Sequence, residues 1–239
     1  MSSENPTFEQ QRSWSNSWDQ NYLRTLDPES LRRGDTALTL LKSLDLTEPN
    51  ILEVGCGNGW LCEKLAKFGR VTGVDIADTA IDDAKRRVPN GSFFTGDFCS
   101  LHLPPGEFDA ALTLETLSHV PDHVEFVRCL AAVLKSKGYL IVVTQNRAVY
   151  SRRQDVAHRG VGQIRRWVTM RELQSLLAEN FDVKRAFTIQ PSGHEGFLRI
   201  VNSARVNRAL GMLISRPTLE SLKERAGLGQ SLEVLAQRR

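Results

Sequence analysis

No apolar run in this chain approaches the roughly 20 residues that a membrane-crossing helix needs. The first twenty residues are polar and hold no apolar core of signal-peptide length, so a soluble, cytoplasmic protein without a membrane span is expected. Cysteine is scarce as well. Cys56, Cys62, Cys99 and Cys129 form no C-x-x-C pair and have no histidine partners at zinc spacing, so they read as reduced thiols with no disulfide or metal framework. Nor does one charge dominate: the net charge of +3 falls well short of the density that makes nucleic acid the default partner. Internal repeats and low-complexity tracts are missing too.

What is present is an ordinary globular composition, 41% apolar and 25% charged over 239 residues, which suits one large domain better than two small ones. In residues 1–30, Trp14, Trp18 and Tyr22 stand four apart and share one face of a helix, either packed on the domain or closing over a ligand. A second helix is expected over residues 30–44, with Leu31, Leu38 and Leu41 apolar.

From Ile51 onward, strands and amphipathic helices alternate. Strands are expected at 51–54, 70–75, 92–96, 108–113 and 139–144, with helices at 60–68, 78–87 and 121–135. Crossovers of that kind predict an α/β fold, a mainly parallel sheet covered by helices on both faces. Beyond Thr144 come an arginine-rich polar stretch at 146–168, a helix at 169–179, a strand at 182–189, helices at 198–214 and 217–225, and a final strand at 231–237. The apolar stripe at 198–214 suits a core edge or a dimer contact, so a monomer or a homodimer is open.

The most informative stretch is Ile51-Leu-Glu-Val-Gly55-Cys-Gly57-Asn-Gly59, a short buried strand that ends in an acid and three alternating glycines. Such a turn lets a ligand lie against the bare backbone. In an open parallel sheet the ligand crevice lies beyond the carboxyl ends of the strands. Four successive strands deliver polar groups there: Glu53 and the turn, then Asp75, then Asp97 and Phe98, then Leu114 and Glu115. Asp75 offers two acceptor oxygens to both hydroxyls of a ribose. The spacing is G-x-G-x-G, with Trp60 where a dinucleotide fingerprint has its last glycine. Glu53 adds negative charge before the turn, which suits a cationic cofactor better than a phosphate.

These segments, E-V-G-C-G-N-G at 53–59, G-V-D-I at 73–76, G-D-F at 96–98, F-D-A-A-L-T-L-E-T-L-S-H-V-P-D at 108–122 and K-S-K-G-Y-L-I-V-V at 135–143, resemble the class I S-adenosylmethionine-dependent methyltransferases over roughly residues 30–239. The resemblance implies a Rossmann-like sheet of seven strands with the last one antiparallel. It implies a helical lid at 1–30 and a methyltransferase domain at 31–239, with substrate-side insertions at about 146–168 and 190–226. It also implies that Glu53, Gly55, Gly57, Asn58 and Gly59 hold the methionine part of S-adenosylmethionine and that Asp75 takes the ribose. Ile76 would lie against the adenine, with Asp97 accepting from its amino group and the Phe98 amide donating to its ring. Leu114 and Glu115 would flank the methyl, and Tyr22 belongs with this cofactor set.

The reaction implied is a direct in-line displacement that leaves S-adenosylhomocysteine, in which the protein chiefly positions the reactants. His119, just past the fourth strand, is the candidate general base, with a structural role beside the helix at Pro121 as its alternative. Locally the sequence is similar to the quinone-pathway O-methyltransferases, in which a glutamate stands where this chain has Ser118. Without that carboxylate no metal is expected.

Acceptor specificity is expected from Trp14 and Trp18, and from the stretch holding Arg147, Tyr150, Arg152, Arg153, Arg159, Arg165 and Arg166 against the single acid Asp155. A small acceptor, anionic or aromatic, clamped by Arg147 and stacked on Tyr150 is the favoured partner. RNA methylation and a cofactor-binding partner subunit without activity are the competing readings, and nucleic acid is the less expected of the partners.

Overall fold

The computed structural model describes residues 6–19, 26–152, 164–192, 199, 203–210 and 214–239. The chain runs α1 (Pro6–Asp19), α2 (Pro28–Lys42), β1 (Asn50–Val54), α3 (Trp60–Leu65), β2 (Arg70–Asp75), α4 (Asp78–Arg87), β3 (Ser92–Thr95) and β4 (Phe108–Leu114). A single 3-10 turn at Leu117–His119 leads into α5 (His123–Val133) and β5 (Leu134–Gln145). Then follow α6 (Arg147–Tyr150), α7 (Met170–Leu177), β6 (Phe181–Pro191), α8 (Ala204–Leu210), α9 (Arg216–Arg225) and β7 (Gly229–Arg238).

The seven strands form one sheet in the order β3-β2-β1-β4-β5-β7-β6. β1 to β5 pair in parallel, and β7 inserts antiparallel between β5 and β6. The expected α/β fold with a final antiparallel strand is therefore the one observed. The winding reverses at β1, which pairs with β2 on one side and β4 on the other, so the crevice opens beyond Val54.

Local chemistry explains where the helices begin. The Asp27 carboxylate caps α2 by accepting from the Ser30 amide, with Pro28 in the first turn. Asp122 caps α5 through the Val124 and Glu125 amides, and Thr169 with Glu172 forms a reciprocal capping box on α7. Helices α2, α3 and α4 bury Leu41, Leu61 and Ile81 against one face of the sheet, while α5 and α7 bury Leu130 and Leu173 against the other. Each buried Leu or Ile contributes about 1.5–3 kcal/mol.

Several boundaries differ from expectation. The helix after the glycine turn stops at Leu65, and β5 begins at Leu134, five residues earlier than its apolar core suggested. The turn α6 was not foreseen; it is nucleated by the Asn146 side chain, which accepts from the Ala148 amide. Of the helix expected at 198–214, the described part is Ala204–Leu210.

The thiol reading also needs correction. Cys99 and Cys129 are joined as a disulfide, with Cα atoms 5.7 Å apart across 30 residues of sequence. Only Cys56 and Cys62 are free, both buried. The pairing joins the loop after β3 to α5, a proximity that no sequence spacing encodes.

Candidate functional site

A cavity of about 740 Å³ opens at the carboxyl ends of β1, β2 and β4. That volume is in the usual range for small-molecule sites. Its wall includes Gly55, Gly57, Asp75, Ile76, Asp97, Phe98, Leu114, Glu115 and His119, so the segments singled out in the sequence meet in one place.

The glycine turn is held from two sides. Gly55 and Gly57 have φ of +77° and +51°, conformations that a Cβ disfavours. The Gly57 amide donates to Asp75 Oδ2 at 2.8 Å, and the Ala77 amide donates to Oδ1 at 2.9 Å. A side chain at Gly55 would also overlap Thr116 in the loop after β4. The three strand ends are thus locked together around the crevice. Burial pushes the Asp75 carboxyl up, opposed by the Ala77 and Gly57 amides.

Three residues expected at the cofactor, Glu53, Asn58 and Gly59, are not on the cavity wall. The third glycine, Gly59, is not on the cavity wall; a Cβ there would come within 2.9 Å of Ala84 Cβ, so its smallness lets α3 approach α4. Asn58 is buried and accepts from the Trp60 amide, while Arg87 reaches its carbonyl at 3.1 Å. Glu53 points to the α3 side of the sheet, where the Cys62 thiol donates to it at 2.9 Å. Burial pushes Glu53 up to about 8, leaving it protonated and uncharged near neutral pH.

After β3, Asp97 Oδ1 accepts from the Ser100 amide at 3.1 Å, and the Phe98 ring packs edge-on against Phe126 with centroids 5.8 Å apart. On the opposite wall stands a residue that sequence reasoning missed. Arg33 of α2 is buried and lines the cavity; its Nη2 reaches Ser30 Oγ at 3.0 Å and its Nε lies 3.9 Å from Glu115 Oε1. Among the described residues, its buried Nη1 has no hydrogen-bond partner, nor does Glu115 Oε1. Burial pushes Glu115 up to about 6 despite the guanidinium. Glu115 also sits at φ +59°, a strained conformation for a side-chain-bearing residue, held by its amide donating to the Val143 carbonyl at 2.8 Å.

His119 ends the 3-10 turn and lines the cavity. Its Nδ1 lies 2.8 Å from the Ile164 carbonyl, an acceptor only, so Nδ1 carries the proton and the neutral ring keeps its lone pair on Nε2. Burial lowers its pKa, which favours that neutral form. From α1, Trp14 meets the His119 ring edge-on at 4.9 Å, and the Gln10 side chain donates to the His119 carbonyl. The side chain of Trp18 and all of Tyr22 lie outside the described residues.

The arginine-rich segment does not line this cavity among the described residues. Arg147 pairs with Glu172 at 2.6 Å on an exposed surface, Tyr150 packs against Trp167, and Arg166 donates to the Pro121 carbonyl. Arg153 and Arg159 lie outside the described residues. Among the described residues, six acids, Asp27, Asp75, Asp97, Glu115, Asp122 and Glu125, line the cavity against one arginine, Arg33. Its field is acidic. No group of three or more potential metal ligands, and no helix long and apolar enough to cross a membrane, occurs among the described residues.

Residues 52–142, which hold the turn, Asp75 and His119, match the family described as a methyltransferase domain. Residues 52–142 are thus similar to a methyltransferase domain. Over 142 residues, 54% of this chain and 56% of the relative, it is 35% identical to a ubiquinone biosynthesis O-methyltransferase of Methylocella silvestris. Over 110 residues, 46% of this chain and 40% of the relative, it is 33% identical to a probable S-adenosylmethionine-dependent methyltransferase of Mycobacterium tuberculosis. The chain thus matches about half the length of these relatives. An S-adenosylmethionine-dependent methyltransferase from Mesorhizobium loti superimposes with TM-score 0.60 over 84% of this chain and 96% of that one, at 20% identity. At that identity the likeness is one of fold, and it extends well beyond residues 52–142.

Proposed function

We propose that this protein transfers a methyl group from S-adenosylmethionine to an oxygen of a small, uncharged acceptor. The observation that carries the reading is the convergence of the glycine turn, Asp75, Asp97 and the unspent Nη1 of Arg33 on one acidic cavity. The residues fit such a cofactor. Gly55 and Gly57 admit its amino-acid tail against the backbone, and Arg33 Nη1 is a free donor for its carboxylate. Asp75 accepts from the ribose hydroxyls, while Ile76, Asp97 and the Phe98 amide take the adenine. The acidic lining favours a sulfonium cation over a phosphate.

When bound, the cofactor supplies a methyl activated by the adjoining positive sulfur. The chain's own work is to place the acceptor oxygen in line with it, exclude water and remove a proton. Leu114 and Glu115 end the strand beside that point. His119, its Nδ1 proton held by Ile164, presents Nε2 as the base. Helix α1, with Trp14 on His119, serves as a lid. The acceptor is uncharged because an acid would meet six carboxyl groups and find Arg33 already committed. An oxygen nucleophile is supported by the relatives named for O-methylation.

Incubating the protein with methyl-labelled cofactor and a cell extract tests the reading. Label entering small neutral molecules supports it; label entering RNA, or no acceptor in any extract, contradicts it.

A further inference from the structure

The Cys99–Cys129 pair sits where it can act on the adenine end of the site. Cys99 directly follows Asp97 and Phe98 and lines the same cavity. Cys129 lies on α5 one helical turn from Phe126, whose ring meets Phe98. Between the end of β3 at Thr95 and the start of β4 at Phe108, the chain carries no strand or helix. The Phe98 ring on Phe126, the turn that Asp97 makes with Ser100, Leu101 and Leu103 on the core, and the Gly106 and Glu107 amides donating to the Ala132 and Val133 carbonyls also hold this loop, and the disulfide is its covalent tie to α5, at the residue next to Phe98. Cys99 is exposed and Cys129 half-buried, so a reducing partner has access.

We propose that Cys99 and Cys129 form a thiol–disulfide exchange site that controls cofactor affinity, the oxidised pair holding the Asp97–Phe98 loop in its binding shape. The reductant is a dithiol protein or small dithiol. One of its thiolates attacks the exposed Cys99 sulfur, the Cys99–Cys129 bond breaks, and Cys129 leaves as a thiolate that takes up a proton. The second thiol of the reductant then resolves the mixed disulfide, releasing Cys99 as a thiol and leaving the reductant oxidised. Reoxidation runs the same exchange in reverse against an oxidised dithiol. With the bond broken, the loop gains freedom that adenine binding must remove again, so affinity falls.

By linkage the effect is reciprocal: the cofactor makes the bond harder to reduce by the factor by which the bond tightens cofactor binding. A tenfold effect corresponds to a potential shift of about 30 mV for this two-electron couple.

The inference rests on the adenosyl cofactor site proposed above, and its test separates the two. Adenosylhomocysteine is titrated calorimetrically into the full chain after mild oxidation and after treatment with dithiothreitol, with thiol counting to verify each state. The expected result is roughly tenfold weaker binding to the reduced chain. Cys129→Ser is expected to bind like the reduced protein and to ignore dithiothreitol. A redox titration with and without adenosylhomocysteine is expected to show the shift in potential. Equal affinity in both states, or four free thiols after oxidation, overturns the exchange site. Absence of binding in both states overturns the cofactor site instead.

Discussion

The backbone amide of Gly57 donates to Asp75 Oδ2 at 2.8 Å, so the turn after β1 and the carboxylate ending β2 are one unit. Asp75→Ala removes the anchor of the turn together with the proposed acceptor for the ribose. Loss of hydrogen bonds to a charged group costs about 1.5–3 kcal/mol each. Cofactor affinity is expected to fall by on the order of 100-fold, measured by calorimetry, with the far-ultraviolet circular dichroism unchanged.

Gly59 separates packing from binding. An added methyl at φ +73° would press on Ala84, so Gly59→Ala is expected to destabilise the fold by about 1–3 kcal/mol. Because Gly59 is off the cavity wall, affinity for adenosylhomocysteine in the folded protein should change little. Denaturant unfolding and calorimetry on the same variant check both halves.

His119→Ala is expected to lower kcat by roughly 100- to 10,000-fold while leaving cofactor affinity intact. Burial lowers the pKa of this histidine, so the base form persists through neutral pH. The rate should therefore fall only on the acid side, below the ordinary histidine value of 6.5. A rate profile that still falls on acidification in the variant would assign the limb to another group.

Glu233 of β7 is fully buried, has neither carboxyl oxygen hydrogen-bonded among the described residues, and is pushed up to about 8 by burial. Its folded state holds a proton that the unfolded chain gives up above 4.5, so its contribution to stability is lost as pH rises from there through about 8. Glu53 acts in the same direction. Glu233→Gln should flatten this decline, being more stable than the wild type above pH 8 and similar to it near pH 5. Urea unfolding across roughly that range measures the slope.

What the sequence disclosed was local. Period-two and period-3.6 apolar patterns located β1, β2, β4 and α4, because each buries one face against the sheet. The G-x-G-x-G turn and Asp75 were legible because backbone geometry and strand-end position restrict those residues. Arg33 was not legible: on α2 it looks like any solvated arginine, and only the crossing of α2 over the strand ends buries it in the cavity. Arg147 misled for the opposite reason, since its partner Glu172 lies 25 residues further on. The glycines looked equivalent in the sequence, yet Gly57 faces the cavity and Gly59 faces α4. Cys99 and Cys129 show the same blindness to contacts between distant segments.

The central claim, that the strand-end cavity holds an adenosyl sulfonium cofactor, is tested most directly by calorimetry on folded, ligand-free protein with S-adenosylmethionine and S-adenosylhomocysteine. The account predicts one saturable site for each, weakened by Asp75→Ala and by Arg33→Met. Absence of heat with either ligand on protein that unfolds cooperatively would contradict it.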